Sequence, residues 1–154
     1  MKKINLKVLI ASLIIVYLVA FIGSRFTAGE TGGEWYQSIK PSITPPNYVF
    51  PIVWNILFFL IALSLYFVWV KSRNKEKKKI MLVFGINFIL NIFWSVLYFG
   101  LKNPGLAFIE IILLEISIIA MIILTYKISK KSSYLLIPYF LWVAFASLLN
   151  FLSI

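Results

Sequence analysis

Residues 80–101 read IMLVFGINFILNIFWSVLYFGL, 22 positions without one acidic or basic side chain. At a rise of about 1.5 Å per residue, such a run is long enough to cross the roughly 30 Å hydrocarbon core of a bilayer. Lipid offers the backbone no hydrogen-bond partners, so the run is stable there only as a helix that bonds its own N–H and C=O groups. Outward from it the same character recurs. Val8 to Ser24, Tyr48 to Val70, Leu106 to Tyr126 and Tyr134 to Ile154 also lack basic residues and are predominantly apolar. The expected fold is all-α: one domain over residues 1–154, an integral membrane bundle of five transmembrane helices. Composition agrees, since 62% of the 154 residues are hydrophobic and only 13% charged, more apolar surface than a soluble domain of this length can bury. Lys2 and Lys3 ahead of the first run also fit a secretory leader, but the run is long for one and only Thr27-Ala28-Gly29 offers a weak cleavage site.

The net charge of +10 would suggest nucleic acid in a soluble protein, yet its placement argues otherwise. Twelve of the fifteen cations fall on one side of a five-span chain: Lys2, Lys3, Lys7, the run from Lys71 to Lys79, and Lys127, Lys130 and Lys131. Arg25, Lys40 and Lys102 fall on the other. The positive-inside bias then puts the N-terminus in the cytoplasm and the C-terminus outside, with the cell membrane as the expected residence. The Lys71–Lys79 run reads as a topology determinant touching lipid headgroups, with no nucleic-acid partner. The chain has no Cys and no His, which removes disulfides, thiolate nucleophiles, Cys-rich metal sites and the Ser-His-Asp triad. No metal site and no required cofactor are expected.

The connection 25–47 is the longest in the chain. It carries Gly29, Gly32 and Gly33, then Trp35-Tyr36, then Lys40-Pro41 and Pro45-Pro46. Flexible glycines followed by stiff prolines fit a hinged cover over the bundle mouth, and they fit equally an interfacial loop anchored by its aromatics. Within the spans, Asn87 and Asn91 are one helical turn apart, and Trp94 and Ser95 extend their face. Pro138, Trp142, Ala146 and Asn150 form a line at spacing four, where a small residue between Trp and Asn favours close packing over a ligand recess. Pro51 near a helix start turns Trp54 toward the same level. Trp35, Tyr36, Trp54, Trp94 and Trp142 together can wall one cavity suited to a planar apolar molecule, each aromatic pair adding about 0.5–1.5 kcal/mol beyond burial. Trp69 belongs instead to the interface beside the basic run.

Two carboxylates fall inside the fourth span, where an ionised side chain costs about 2.5–3.5 kcal/mol near mid-membrane. Glu110 and Glu115 point about 140° apart on a helix, so they are no paired acid–base site. Glu115 reads as a protonated or hydrogen-bonded acid before it reads as a proton relay. Glu110 lies nearer the long loop and is the better pocket candidate.

The segments WYQSIKPSITPPNYVFPIVW (35–54), NIFWSVLYFGLKNPGLAFIE (91–110) and LLIPYFLWVAFASLLNF (135–151), in this order within five spans, resemble the TspO/MBR family, the tryptophan-rich sensory or translocator proteins also called peripheral-type benzodiazepine receptors. The resemblance implies a five-helix membrane receptor, commonly a homodimer, that binds porphyrin-type tetrapyrroles such as protoporphyrin IX and haem, and benzodiazepine-like ligands. It implies a pocket beneath the first loop, with ligand-binding roles for Trp35, Tyr36, Trp54, Asn91, Trp94, Glu110, Trp142 and Ala146. Tetrapyrrole trafficking or stress sensing are the roles it suggests. Light-dependent protoporphyrin degradation, with Trp54 and Trp142 exchanging an electron with the excited ligand, is an alternative. Proton-coupled transport through Glu115 is another. This chain departs from the family in the loop, where Ile43 replaces a Trp and the stretch from Trp35 to Pro41 is one residue shorter. No basic residue follows Tyr139, which weakens any cholesterol-recognition motif there. Lacking His and Cys, the chain suits metal-free porphyrin better than a redox haem, and Lys40 or Arg25 near the loop would neutralise propionates.

Overall fold

Asn5 opens the first helix by accepting a hydrogen bond from the Val8 N–H, and the helix then runs uninterrupted as α1, Leu6–Thr27. The computed structural model describes residues 4–154, so the expected contributions of Lys2 and Lys3 to orientation lie outside the described residues. After α1 come a 3₁₀ turn (Glu30–Gly32) and the short helix α2 (Glu34–Ile39), both inside the segment expected to be a loop. Next are α3 (Val49–Lys71) and α4 (Asn74–Ser95), the latter running on into a π-helical turn at Val96–Gly100. Then come α5 (Pro104–Ile128), the short α6 (Lys130–Tyr134) and α7 (Ile137–Phe151). The described residues contain five helical stretches long and apolar enough to cross a membrane, and the protein is a multi-pass integral membrane protein.

Local chemistry explains the boundaries. Pro104 occupies the first turn of α5, where its missing N–H would have lacked a partner anyway, and the Asn103 side chain caps Leu106 N–H at 3.0 Å. The Glu76 carboxylate accepts from Arg73 N–H at 2.7 Å, starting α4 within the lysine-rich stretch. The fifth stretch, expected to be one helix from Tyr134, breaks at Leu135–Leu136 into α6 and α7, with Pro138 in the first turn of α7. At this lysine-rich end the Ser132 hydroxyl donates to the Ser64 carbonyl at 2.7 Å, and Ser133 donates to the Ile122 carbonyl at 3.0 Å. Small polar residues thereby join α6 to α3 and α5 where no hydrophobic force holds helices together in lipid.

α1 packs on α3 and α4, while α5 packs on α4, α6 and α7. The main core, including Ile61, Ala62, Val68, Ile80, Phe84, Ile118 and Met121, fills the lysine-rich half of the bundle. A second, aromatic cluster of Tyr36, Leu97, Tyr98, Phe99 and Ala107 closes the opposite end. Large apolar side chains such as Ile14, Phe21, Ile89, Ile109 and Leu141 point outward, each more than half exposed, as a lipid-facing surface requires.

Candidate functional site

Between the filled half and the aromatic cap, the helices leave a cavity of about 390 Å³. Every spanning helix contributes to its wall. Tyr36, Trp54, Asn91, Trp94, Trp142 and Ala146 line it, so six of the eight residues singled out in the sequence come together. Trp35 and Glu110 do not. Trp35 lies on the outer side of the cap, its ring edge-on to Tyr98 at 5.7 Å, and Glu110 is buried behind the wall. Arg25 and Lys40 are exposed and absent from the lining, and none of the lining residues carries a charge.

The aromatic walls are fixed by neighbours. Trp54 stacks on Phe58 one turn later (5.3 Å, 29°) and meets Tyr139 edge-on at 6.1 Å. Trp94 stacks on Tyr98 (5.0 Å, 23°), and its indole N–H donates to Asn150 Oδ1 at 2.9 Å. The Asn150 amide in turn donates to the Pro104 carbonyl at 2.8 Å, tying α4, α7 and the start of α5 together. Trp142 packs edge-on against Phe50 at 5.8 Å, and its buried indole N–H has no partner.

The π turn gives the cap its shape. A regular helix turns each successive side chain by about 100°, which would send one of three consecutive residues outward. Wider winding at Val96–Gly100 keeps Leu97, Tyr98 and Phe99 all buried, and π turns of this kind recur at functional sites. Tyr36 rests on this ledge, 6.4 Å from Tyr98 and 5.6 Å from Phe99. Burial, with a smaller contribution from Tyr98, pushes the Tyr36 phenol up to about 12, so it stays a neutral wall group.

The cover is pinned by few bonds. Gly29 adopts a left-handed conformation (φ 87°) that starts the 3₁₀ turn. The Thr31 carbonyl accepts from Gln37 Nε2 at 2.8 Å and Asn47 Nδ2 at 3.1 Å, joining the cover to the lead-in of α3. Glu30 pairs with Lys102 at 3.5 Å, and the Lys102 ammonium also lies over the Trp35 ring at 5.8 Å. Ile43, standing where the family has a Trp, is exposed and outside the lining.

Sequence reading did not single out Tyr98, Phe99, Phe50, Phe58, Thr31 or Asn47, nor the α1 wall of Ala20, Gly23, Ser24 and Thr27. The α1 wall had a visible signal: small residues at spacing three and four along one helix face. The π turn had none.

An uncharged, aromatic-walled cavity under a cap, enclosed by five spanning helices, is the kind of site that takes a small apolar ligand within a membrane protein. The TspO/MBR family profile matches residues 11–153, and the chain belongs to that family. It is 40% identical to the tryptophan-rich protein TspO of Archaeoglobus fulgidus, across 96% of this chain and 95% of that protein. Protein CrtK of Rhodobacter capsulatus is 33% identical across 91% of this chain and 89% of its own length. The human translocator protein is also 33% identical, across 87% of this chain and 80% of its own.

Proposed function

We propose that the protein is a membrane receptor for porphyrin-type tetrapyrroles, protoporphyrin IX above all, that also accepts benzodiazepine-like ligands, and that it serves tetrapyrrole trafficking or stress sensing. The observation that carries this reading is the cavity wall of Trp54, Trp94, Trp142, Tyr36 and Tyr98, free of charged side chains. Flat conjugated rings gain stacking as well as burial against such a wall. With no cation in the lining, the ring enters and the carboxylates stay at the mouth. The membrane is the cell membrane, the N-terminus faces the cytoplasm and the functional unit is a homodimer. Family membership and the relatives named TspO and translocator protein support the class.

Tryptophan fluorescence tests the site. Protoporphyrin IX should quench the wild type saturably, and Trp54→Phe with Trp142→Phe should weaken binding by tenfold or more. Equal affinity in the double variant would remove the cavity from the proposal. The indole rings of Trp54 and Trp142 in the cavity wall, within reach of an excited ring held there, favour photochemical degradation as the second reading. Illumination of the purified complex decides it, because a receptor alone yields no ring-opened product.

A further inference from the structure

Glu110 has no partner. It lies in the second turn of α5, is 4% exposed, and neither carboxyl oxygen makes a hydrogen bond. Ionised, it would be a buried, isolated charge in apolar surroundings, which is strongly unfavourable; carrying a proton, it is only a polar group short of one partner. No cation compensates for it. Glu30–Lys102 is the one ion pair among the described residues, and the lysines of α4, α5 and α6 cluster at the opposite end of the bundle. The titratable groups on the elements packed at its level are Tyr139 of α7, within electrostatic reach, and Tyr98 of the π turn, which is bonded to Ser153. α4 presents Asn87, Asn91 and Trp94, none of them titratable. Glu115, on the same helix, lies against Ser147 of α7 with its own oxygens unbonded.

One fully buried side chain within electrostatic reach of this acid is bonded to the cavity wall. The Tyr139 hydroxyl donates to Asn87 Oδ1 at 3.2 Å and accepts from Asn91 Nδ2 at 3.1 Å, and Asn91 is part of the cavity wall. Ile111 and Leu114, the next residue and the next turn after Glu110, line the cavity too. The acid therefore lies on the stretch of α5 that supplies part of the cavity wall, directly before a lining residue.

We propose that Glu110 is a proton-binding site linked to the cavity. An apolar occupant excludes water from the wall and holds the acid in its protonated form. Ionisation instead leaves a buried charge in need of donors, which draws the Tyr139 hydroxyl away from Asn87 and Asn91 and deforms the wall. The proton comes from bulk solvent, and by linkage the affinity for an occupant falls about tenfold per pH unit above the midpoint of the acid. The acid's own state follows from its burial alone; the choice of a porphyrin as the probe rests on the receptor reading above.

The probe is protoporphyrin IX dimethyl ester, whose capped carboxyls do not titrate. Calorimetry in two buffers of different ionisation heat should show wild-type protein taking up a proton on binding at alkaline pH. Glu110→Gln, which copies the shape of the neutral acid, should bind equally at every pH with no uptake, and Glu115→Gln should behave as wild type. Affinity independent of pH in the wild type, or a dependence that survives Glu110→Gln, overturns the proposal. Failure of the ester to bind at all would sink the receptor reading but leave the proton site readable by infrared spectroscopy. In Glu115→Gln protein, Glu110 is the one buried carboxyl left among the described residues, so a protonated C=O band from an apolar environment must be present at neutral pH. Absence of that band overturns the proposal, including when Glu110→Gln fails to fold.

Discussion

The Trp94–Asn150 hydrogen bond is the sharpest test of how the cavity wall is held. Asn150 is 1% exposed, its amide is committed to the Pro104 carbonyl at 2.8 Å, and its Oδ1 receives the Trp94 indole N–H at 2.9 Å. Hydrogen bonds between membrane helices average about 0.6 kcal/mol and reach about 1.7, because the unfolded chain finds other partners. Here Oδ1 can neither reach water nor rotate without losing Pro104, so the expected value is in the upper half of that range. Trp94→Phe keeps the stack on Tyr98 and leaves Oδ1 orphaned, whereas Asn150→Leu removes both bonds at once. The single variants should cost roughly 1–1.5 and 2 kcal/mol, with a coupling of about 1 kcal/mol in the double-mutant cycle. Reversible unfolding in mixed micelles followed by circular dichroism measures all four proteins. Additivity within about 0.3 kcal/mol would mean that the bond contributes nothing, and the account of a braced wall would fall.

Three further outcomes follow from the cover and the orientation of the chain. Lys102→Gly removes an ion pair whose partners are 49% and 41% exposed, worth no more than about 1 kcal/mol, and relieves a left-handed backbone (φ 50°) costing about as much. Stability should therefore stay level while hydrogen exchange in α2 accelerates; a loss above about 2 kcal/mol contradicts this balance. The Tyr36 phenol, raised to about 12 from 10.0, binds its proton more tightly folded than unfolded. Its stabilisation is thus complete below pH 10 and declines as pH rises toward 12, and the phenolate absorbance of wild type and Tyr36→Phe should coincide through pH 10 and diverge only toward pH 12. Because the chain lacks Cys, Ser42→Cys and Asn74→Cys can each be labelled singly in intact cells. A membrane-impermeant maleimide should reach position 42 alone, and the reverse pattern would invert the topology.

Much of the bundle was legible because a bilayer leaves few solutions for an uncharged run of twenty or more residues. The ends were less so. α4 begins at Asn74 inside the basic run because lysines at a helix end extend to the interface while the backbone stays helical. Lys77 does so over Trp69 at 5.3 Å, consistent with the interfacial place expected for that ring. α2 was hidden because six residues between glycine and Lys40-Pro41 carry no periodic signal of their own.

The candidate site shows where such reading fails and why. Placing every inward polar residue in one pocket assumes a single inward environment, yet this bundle has two. One is the cavity, and the other is the packed seam of α4, α5 and α7, where Asn87 bonds Ser117 at 2.8 Å and Tyr139 bridges both asparagines. Asn91 touches both environments, which is why its neighbours on the helical wheel divide between them. Glu110 belongs to the seam: seven residues before Ser117, it shares that face of α5, about 20° away. Periodicity states which face looks inward, and only the neighbouring helices decide whether that face meets a void or a side chain. On the proposed linkage, an acid in the seam senses an occupant without lining the cavity, because Tyr139 bonds Asn91 and Asn91 is part of the wall.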